Sequence, residues 1–394
     1  MKNLALAEDV TQDAFCRALE VWKFRGVPTN PSAWLMATAK NRALDVLRRE
    51  RTARNFAPAL ERRLAREVTV EPAMDELFDE NAIKDDRLRM MFSCCDPGLA
   101  EKAQVAIVLH LLCGFSIGEI AGAFVSTKAA VEKRIERARH ALTRLTTLFD
   151  IADAADFADR LPSVQRALYL LFNEGYHGAS AESPVRKELC REAMRLGSLL
   201  CAHSLGATPA SQALLALMYL NAARLPARLD AAGDLAAPFD TDRSRWNSRF
   251  ITEGRRLLEL ASTGRTLSTY HIEAAIAAVH SDAQRIEETD WAQIISYYDT
   301  LLALAPSAIV ELNRAVAVGQ LMGPQRGLSE IDAIADGKRL RNYPFYFAAR
   351  GEFELQTGEL THARRHFEVA AGLARSPIER RFFQQRITAC ATGD

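Results

Sequence analysis

Along most of this chain apolar residues return every three or four positions, and no sustained apolar/polar alternation appears in its long C-terminal half. That period predicts an all-α protein, because residues three and four apart share one helix face. The clearest segment is 103–145. An apolar helix is expected over 103–113, closed by Gly114. Ser116 with Glu119 three residues on has the form of a capping box opening a short helix over 117–124. Thr127 can cap a longer helix starting at Lys128. In that last helix Val131, Ile135, Ala138 and Leu142 form one apolar stripe. Lys133, Arg134, Arg137, Arg139 and Arg144 lie off it. A short helix, a capped turn and a cationic second helix are the pattern of a helix-turn-helix, whose second helix enters a DNA major groove. A helical hairpin with a solvated basic face fits the same spacing.

Near the N-terminus a helix is expected over 4–22, with Leu6, Val10, Ala14, Phe15, Leu19 and Trp22 as its apolar face. Gly26, Pro28 and Pro31 make 23–31 a loop. A second helix follows over 32–54, turning Trp34, Leu35, Thr38, Ala39, Leu44 and Leu47 toward a partner. Lys40, Arg42, Arg48, Arg49 and Arg51 lie off that face. Beyond it, 53–86 reads as a linker broken at Pro58 and Pro72.

Composition adds that 394 residues exceed one ordinary domain, and that 48% hydrophobic content suffices for sizeable cores. The net charge of zero hides a local swing. Nine Lys/Arg face three acids over 40–66, and seven acids face Lys84 over 71–86. Two basic modules flanking an acidic linker fit two separate DNA-facing surfaces. Seven cysteines without a C-x-x-C pair argue against a disulfide framework or a zinc site, and imply a reducing cytoplasm. No signal peptide and no apolar run near about 20 residues is present, so no membrane role is expected.

The stretch AEDVTQDAFCRALEVW, a short loop, and NPSAWLMATAKNRALDVLRRE resemble region 2 of sigma-70 family initiation factors of the extracytoplasmic-function group, and 103–145 is similar to their region 4. The resemblance implies a region 2 helical bundle over 1–55, a linker over 56–85 and a region 4 helix-turn-helix bundle over 86–148. It also implies partners: core RNA polymerase, through its β′ clamp helices and β flap, and promoter DNA at the −10 and −35 elements. Glu8, Asp9, Gln12, Asp13 and Phe15 would dock on the clamp helices. The loop 23–30 would capture a flipped base, and Trp34, Lys40, Asn41, Arg42, Arg48 and Arg49 would face the −10 DNA. Ser126, Thr127, Lys128, Lys133, Arg134 and Arg137 would read the −35 element. A melted strand needs stacking and cationic backbone contacts, and a duplex is read from the major groove, so the residue types suit the roles. Each has a bland counterpart: Trp34 as core, and Arg48–Arg49 as a solvated helix end. Region 2 in this family opens with one more helix, so the resemblance implies a region 2 that lacks its first helix here, and with it either weaker polymerase binding or a true start upstream of Met1.

Over 149–394 the chain is Ala- and Leu-rich. Gly351, Ala363, Phe367 and Ala370 stand at tetratricopeptide-repeat spacing; Ile294, Tyr298, Leu301 and Pro306 fit a second repeat, and Gly327, Ile331 and Ile334 a third. The intervals from Ile294 to Gly327 and from Gly327 to Ala363 are 33 and 36 residues, close to the repeat length of about 34. A TPR-like α-solenoid is expected. Stretches 168–180, 242–251, 270–280 and 290–307 also resemble the long C-terminal domain of one sigma-factor subgroup. Within them Asn173, Glu174 and Tyr176 either line a ligand or partner groove or fix a loop. His271 and His280, nine apart, lack helical metal-pair spacing, and Arg243, Arg245 and Trp246 either clasp the DNA-binding part or cap and pack.

The expected function is a sigma factor regulated in cis by its C-terminal domain, which binds an unknown ligand, an unknown protein or only the rest of its own chain. The alternatives are a stand-alone helix-turn-helix regulator with a solenoid sensor, or a scaffold. No phosphate loop, metal cluster or nucleophile constellation is found, so no catalytic residue, metal or cofactor is assigned and no enzyme is expected.

Overall fold

The computed structural model describes residues 4–28, 30–55, 83, 85–124, 126–143, 154–177, 185–228, 241–335, 337–374 and 376–391. Every regular element among them is a helix. The chain divides into two units, Met1–Val164 and Gln165–Asp394.

In the first unit α1 (Leu4–Arg25) and α2 (Pro31–Asn55) form an antiparallel hairpin. The turn is built locally. Gly26 adopts φ +75°, the left-handed region glycine enters without steric cost, and its N–H closes on the Trp22 carbonyl. Asn30 Oδ1 then accepts the Ala33 N–H at 3.0 Å, capping α2. Lys23–Arg25 thus belong to α1, and the loop begins at Gly26. The expected apolar face of α1 is corrected in part. Val10, Ala14 and Ala18 are buried, whereas Phe15 and Leu19 are 54% and 76% exposed. The hairpin closes on small side chains, which leaves the larger pair one helix face away. On α2, Leu44 is likewise exposed.

The rest of this unit is α3 (Asp86–Cys94), α4 (Glu101–Leu111), α5 (Ile117–Ala123), α6 (Lys128–Leu142) and the first turns of α7 (Ala154–His177). Asp85 caps α3 by accepting the Leu88 N–H at 2.9 Å. Val105–Leu109 of α4 are wholly buried, as are Met91, Phe92, Phe115, Ile120, Val131 and Ala138. The beginning of α7 completes this core. Phe157 stacks on Phe92 with centroids 4.3 Å apart. Buried Arg160 pairs with Asp156 at 2.8 Å and donates to the Phe92 carbonyl at 3.1 Å. Cys94 and Cys95 are both buried here, and burial pushes the Cys94 thiol up to about 12.

In the second unit successive helices pack on their neighbours. The second half of α7 is followed by α8 (Lys187–Ala202), α9 (Pro209–Ala222), α10 (Ser248–Ala261), α11 (Thr269–Asp282), α12 (Trp291–Leu304), α13 (Ala308–Met322), α14 (Pro324–Asp332), α15 (Pro344–Gln356), α16 (Leu360–Leu373) and α17 (Pro377–Ala389). Glycines make sockets for aromatic rings. A Cβ on Gly327 would come within 2.5 Å of the Phe353 ring, and one on Gly351 within 3.0 Å of Phe367. Phe353 and Phe367 are in turn fully buried. Small residues thus let helix pairs close around a ring, which is dense packing rather than a cavity.

Candidate nucleic-acid interface

Two surfaces of the first unit carry the residues expected to meet polymerase and DNA. On α1, Asp9, Gln12, Asp13 and Phe15 are exposed. Asp9, Gln12 and Asp13 give it an acidic-polar edge beside the bare apolar pair Phe15 and Leu19. Glu8 lies on α1, but its side chain is outside the described residues. Asp13 is not simply displayed. Its Oδ2 accepts from Arg42 Nε at 2.8 Å, so one residue expected to face polymerase and one expected to face DNA hold each other across the hairpin.

On α2, Lys40 and Asn41 are exposed and Arg42 is half-buried. Trp34 is also half-buried, and Trp22 meets it edge to face at 5.4 Å. Its ring therefore packs the hairpin, as the bland reading had it, and presents only part of its surface. Arg48 and Arg49 fall on α2, with side chains outside the described residues, as is Thr29 of the loop.

The α5–α6 segment follows the expected chemistry closely. Ser116 N–H donates to Glu119 Oε2 at 2.7 Å, and Glu119 N–H returns to Ser116 Oγ at 3.2 Å. The capping box is therefore complete at both ends. Gly114 takes φ +72° at the preceding turn. Thr127 Oγ1 accepts from the Ala130 N–H at 3.3 Å, so its hydroxyl is already engaged as the α6 cap. Ser126 N–H bonds the Ala121 carbonyl at 2.9 Å. Val131, Ile135, Ala138 and Leu142 are the buried stripe. Lys128, Lys133 and Arg137 are exposed on α6, interleaved with Glu132 and Glu136. Arg134 behaves differently: it is half-buried with its Cζ 5.8 Å from the Phe124 ring centroid. That stacking draws its guanidinium back toward the turn. Phe124 was absent from the sequence-based set. A separation of ten residues across a turn has no helical periodicity to betray it.

In the second unit the residues singled out by sequence split. His271 is buried between Ser268 and the Ala261 carbonyl, which its Nε2 meets at 3.3 Å, so it serves packing. Tyr176 is buried beneath the Arg228 guanidinium, 4.4 Å from the ring centroid. Arg243 donates to the carbonyls of His280 and Ala283 at 3.0 Å and to Thr289 Oγ1 at 3.1 Å. Arg224, Arg228 and Glu273 were not among the sequence candidates. Their partners Trp246, Tyr176 and Tyr169 lie far from them in the chain, and only the fold brings these together.

An all-α chain with one cationic helix in each of two helical pairs and a long helical extension is the class these observations define. Residues 1–53 match the model of Sigma-70 region 2, and residues 160–262 match a family of unknown function (DUF6596). Uncharacterized protein R00370 of Rhizobium meliloti (strain 1021) is 37% identical over 386 residues, which cover 98% of this chain and 90% of that protein. No solved structure matches. The chain belongs to one family with that Rhizobium protein, and its first 53 residues carry the likeness to Sigma-70 region 2. A sigma-70 region 2 implies binding to core RNA polymerase and promoter DNA, and a part in transcription initiation. Among the described residues no helix is long and apolar enough to cross a membrane.

Proposed function

We propose that this protein is a sigma factor of the extracytoplasmic-function type that works in the cytoplasm, directs core RNA polymerase to a specific promoter set, and is regulated in cis by its helical C-terminal domain. The carrying observation is the α1–α2 hairpin within the region 2 match, whose bare pair Phe15 and Leu19 stands beside the acidic-polar edge of Asp9 and Gln12. An exposed apolar patch rimmed by polar groups suits a protein partner. In this reading Glu8, Asp9, Gln12, Asp13 and Phe15 meet the β′ clamp helices. Lys40, Asn41, Arg42, Arg48 and Arg49, with the edge of Trp34, line the −10 DNA.

The α5–α6 pair then acts as a helix-turn-helix at the −35 element. Lys128, Lys133 and Arg137 contact the duplex, Ser126 and Thr127 fix the entry of α6, and Arg134 buttresses the turn. Exposed cations alternate with Glu132 and Glu136 on this helix, so its non-specific grip is modest and polymerase tethering supplies the rest. The glycine sockets around Phe353 and Phe367 support a TPR-like solenoid for the extension.

The test is in vitro run-off transcription with core polymerase, comparing the full chain with one ending near residue 150. Initiation at defined promoters, altered by the truncation, is the expected result. A full chain that binds duplex DNA yet neither co-purifies with core polymerase nor initiates would instead mark a stand-alone regulator.

A further inference from the structure

The stretches of the second unit that carry no transcription role come together in one place. Trp246, from the segment before α10, is stacked by two guanidinium groups, Arg224 at 5.0 Å and Arg243 at 5.2 Å from the ring centroid. Arg228 covers Tyr176 and lies within electrostatic range of Arg224. Arg224 also donates through Nη2 to the Ala277 carbonyl of α11 at 3.2 Å. Burial, the largest effect, pushes the Arg224 guanidinium below its ordinary range.

Arginines elsewhere in this unit are treated differently. Arg314 lies between Asp299 and Glu330, at 2.6 and 2.8 Å. Arg350 pairs with Asp332 and Arg386 with Glu352, each at 2.5 Å. Arg224, Arg228 and Arg243 have no carboxylate within ion-pair distance among the described residues. The Glu273 carboxyl of α11 accepts from the Tyr169 hydroxyl at 2.9 Å and has Arg166 as its cation. Arg224 Nε, Arg228 Nε and Trp246 Nε1 are buried without a hydrogen-bond partner; Arg350 and Arg386 also leave Nε unpaired, but each holds a carboxylate through another nitrogen. All three are donors. Buried donors left unpaired are costly in folded proteins, and the like charges of Arg224 and Arg228 add to the cost, whereas Arg243 lies in the field of Glu287 and Glu288. One acceptor-only group with negative charge answers both deficits.

We propose that this cluster is a binding site for a small oxyanion, the phosphate or carboxylate group of a ligand, held by Arg224, Arg228 and Trp246. Arg243 is spent on backbone carbonyls and positions the Trp246 ring. The site lies wholly within the Gln165–Asp394 unit, so it stands whether or not the chain initiates transcription.

The test is thermal unfolding of the full chain in low-millimolar sodium phosphate, in sodium succinate, and in sodium chloride at equal ionic strength. Either oxyanion should raise the midpoint by roughly 3 °C over chloride, the shift expected when a ligand is present at several times its Kd. The responding arm assigns phosphate or carboxylate. Trp246→Phe keeps a smaller aromatic ring for the guanidinium groups and lacks the Nε1 donor, and Arg228→Gln removes one cation. Both should melt cooperatively in chloride and lose most of the oxyanion shift. Identical midpoints in all three salts for the native chain overturn the proposal. So does a shift that both variants retain in full, because it would then be a general salt effect.

Discussion

The α1–α2 hairpin and the α3–α6 bundle are both small helical pieces of one unit, yet they are finished to different degrees. The bundle buries Phe92, Phe115, Ile107, Leu109 and Ile120 to 1% exposure or less, and the first turns of α7 add Phe157 and Arg160. The hairpin buries Val10, Ala14 and Ala18 and leaves Phe15 and Leu19 outside. The lesson is that large side chains go where a module must stand alone. Where they are left in water, as Phe15 and Leu19 are, they give the module an exposed apolar surface. Two helices alone rarely bury enough surface for independent stability.

This contrast can be broken or sharpened experimentally. The largest effect should come from Phe92→Ala, which opens a cavity under Phe157. It should cost about 3–5 kcal/mol in denaturant unfolding of the full chain. Phe15→Ser on the hairpin should instead leave stability within about 0.5 kcal/mol. The same change should lower core-polymerase affinity by roughly tenfold or more in a pull-down titration, as expected for an aromatic anchor. If Phe15→Ser unfolds the protein, the hairpin is more self-sufficient than its exposure indicates. Lys133→Gln with Arg137→Gln should weaken binding to −35 duplex and flatten its salt dependence by about two phosphate contacts in the log–log slope.

A pH effect comes next. Burial is the main cause that raises the Glu273 carboxyl to about 7. The folded chain therefore keeps this proton where the unfolded chain has released it. The resulting stability is complete below the ordinary glutamate range and is lost as pH rises through about 7. Glu273→Gln, still an acceptor for Tyr169, should melt about 2–4 °C above the native chain at pH 8 and little differently at pH 5. The smallest effect belongs to Asp13→Ala. It removes an exposed pair with Arg42 and should cost about 0.2–1 kcal/mol.

Local chemistry was the most legible part of the sequence. Ser116 with Glu119, Gly114, Thr127 and the stripe Val131–Ile135–Ala138–Leu142 all specify their structure within one or two helical turns, and each forms as read. The face of α1 was harder. Phe15 and Leu19 are as hydrophobic as any core residue, and nothing within α1 says that Val10, Ala14 and Ala18 win the contact with α2. That outcome depends on how closely two helices approach, which the small residues decide. Trp34 shows the same limit from the other side, since its partner Trp22 lies across a turn. Arg224 and Arg228 were illegible for a third reason: their surroundings come from α7, α11 and the segment before α10, far apart in the chain.

The cysteines offer a chemical address, because four of them are core residues and one is exposed. Thiolates, not thiols, react with mild alkylating reagents. Burial holds the thiols of Cys94, Cys190 and Cys201 near 12, far from ionisation at neutral pH. Cys16 is the exposed thiol of the seven, one residue beyond Phe15 on α1. A maleimide dye should therefore settle there first, on the bare side of the hairpin. The protein thus carries a native attachment point for a reporter that will brighten, dim or be shielded when that surface is covered.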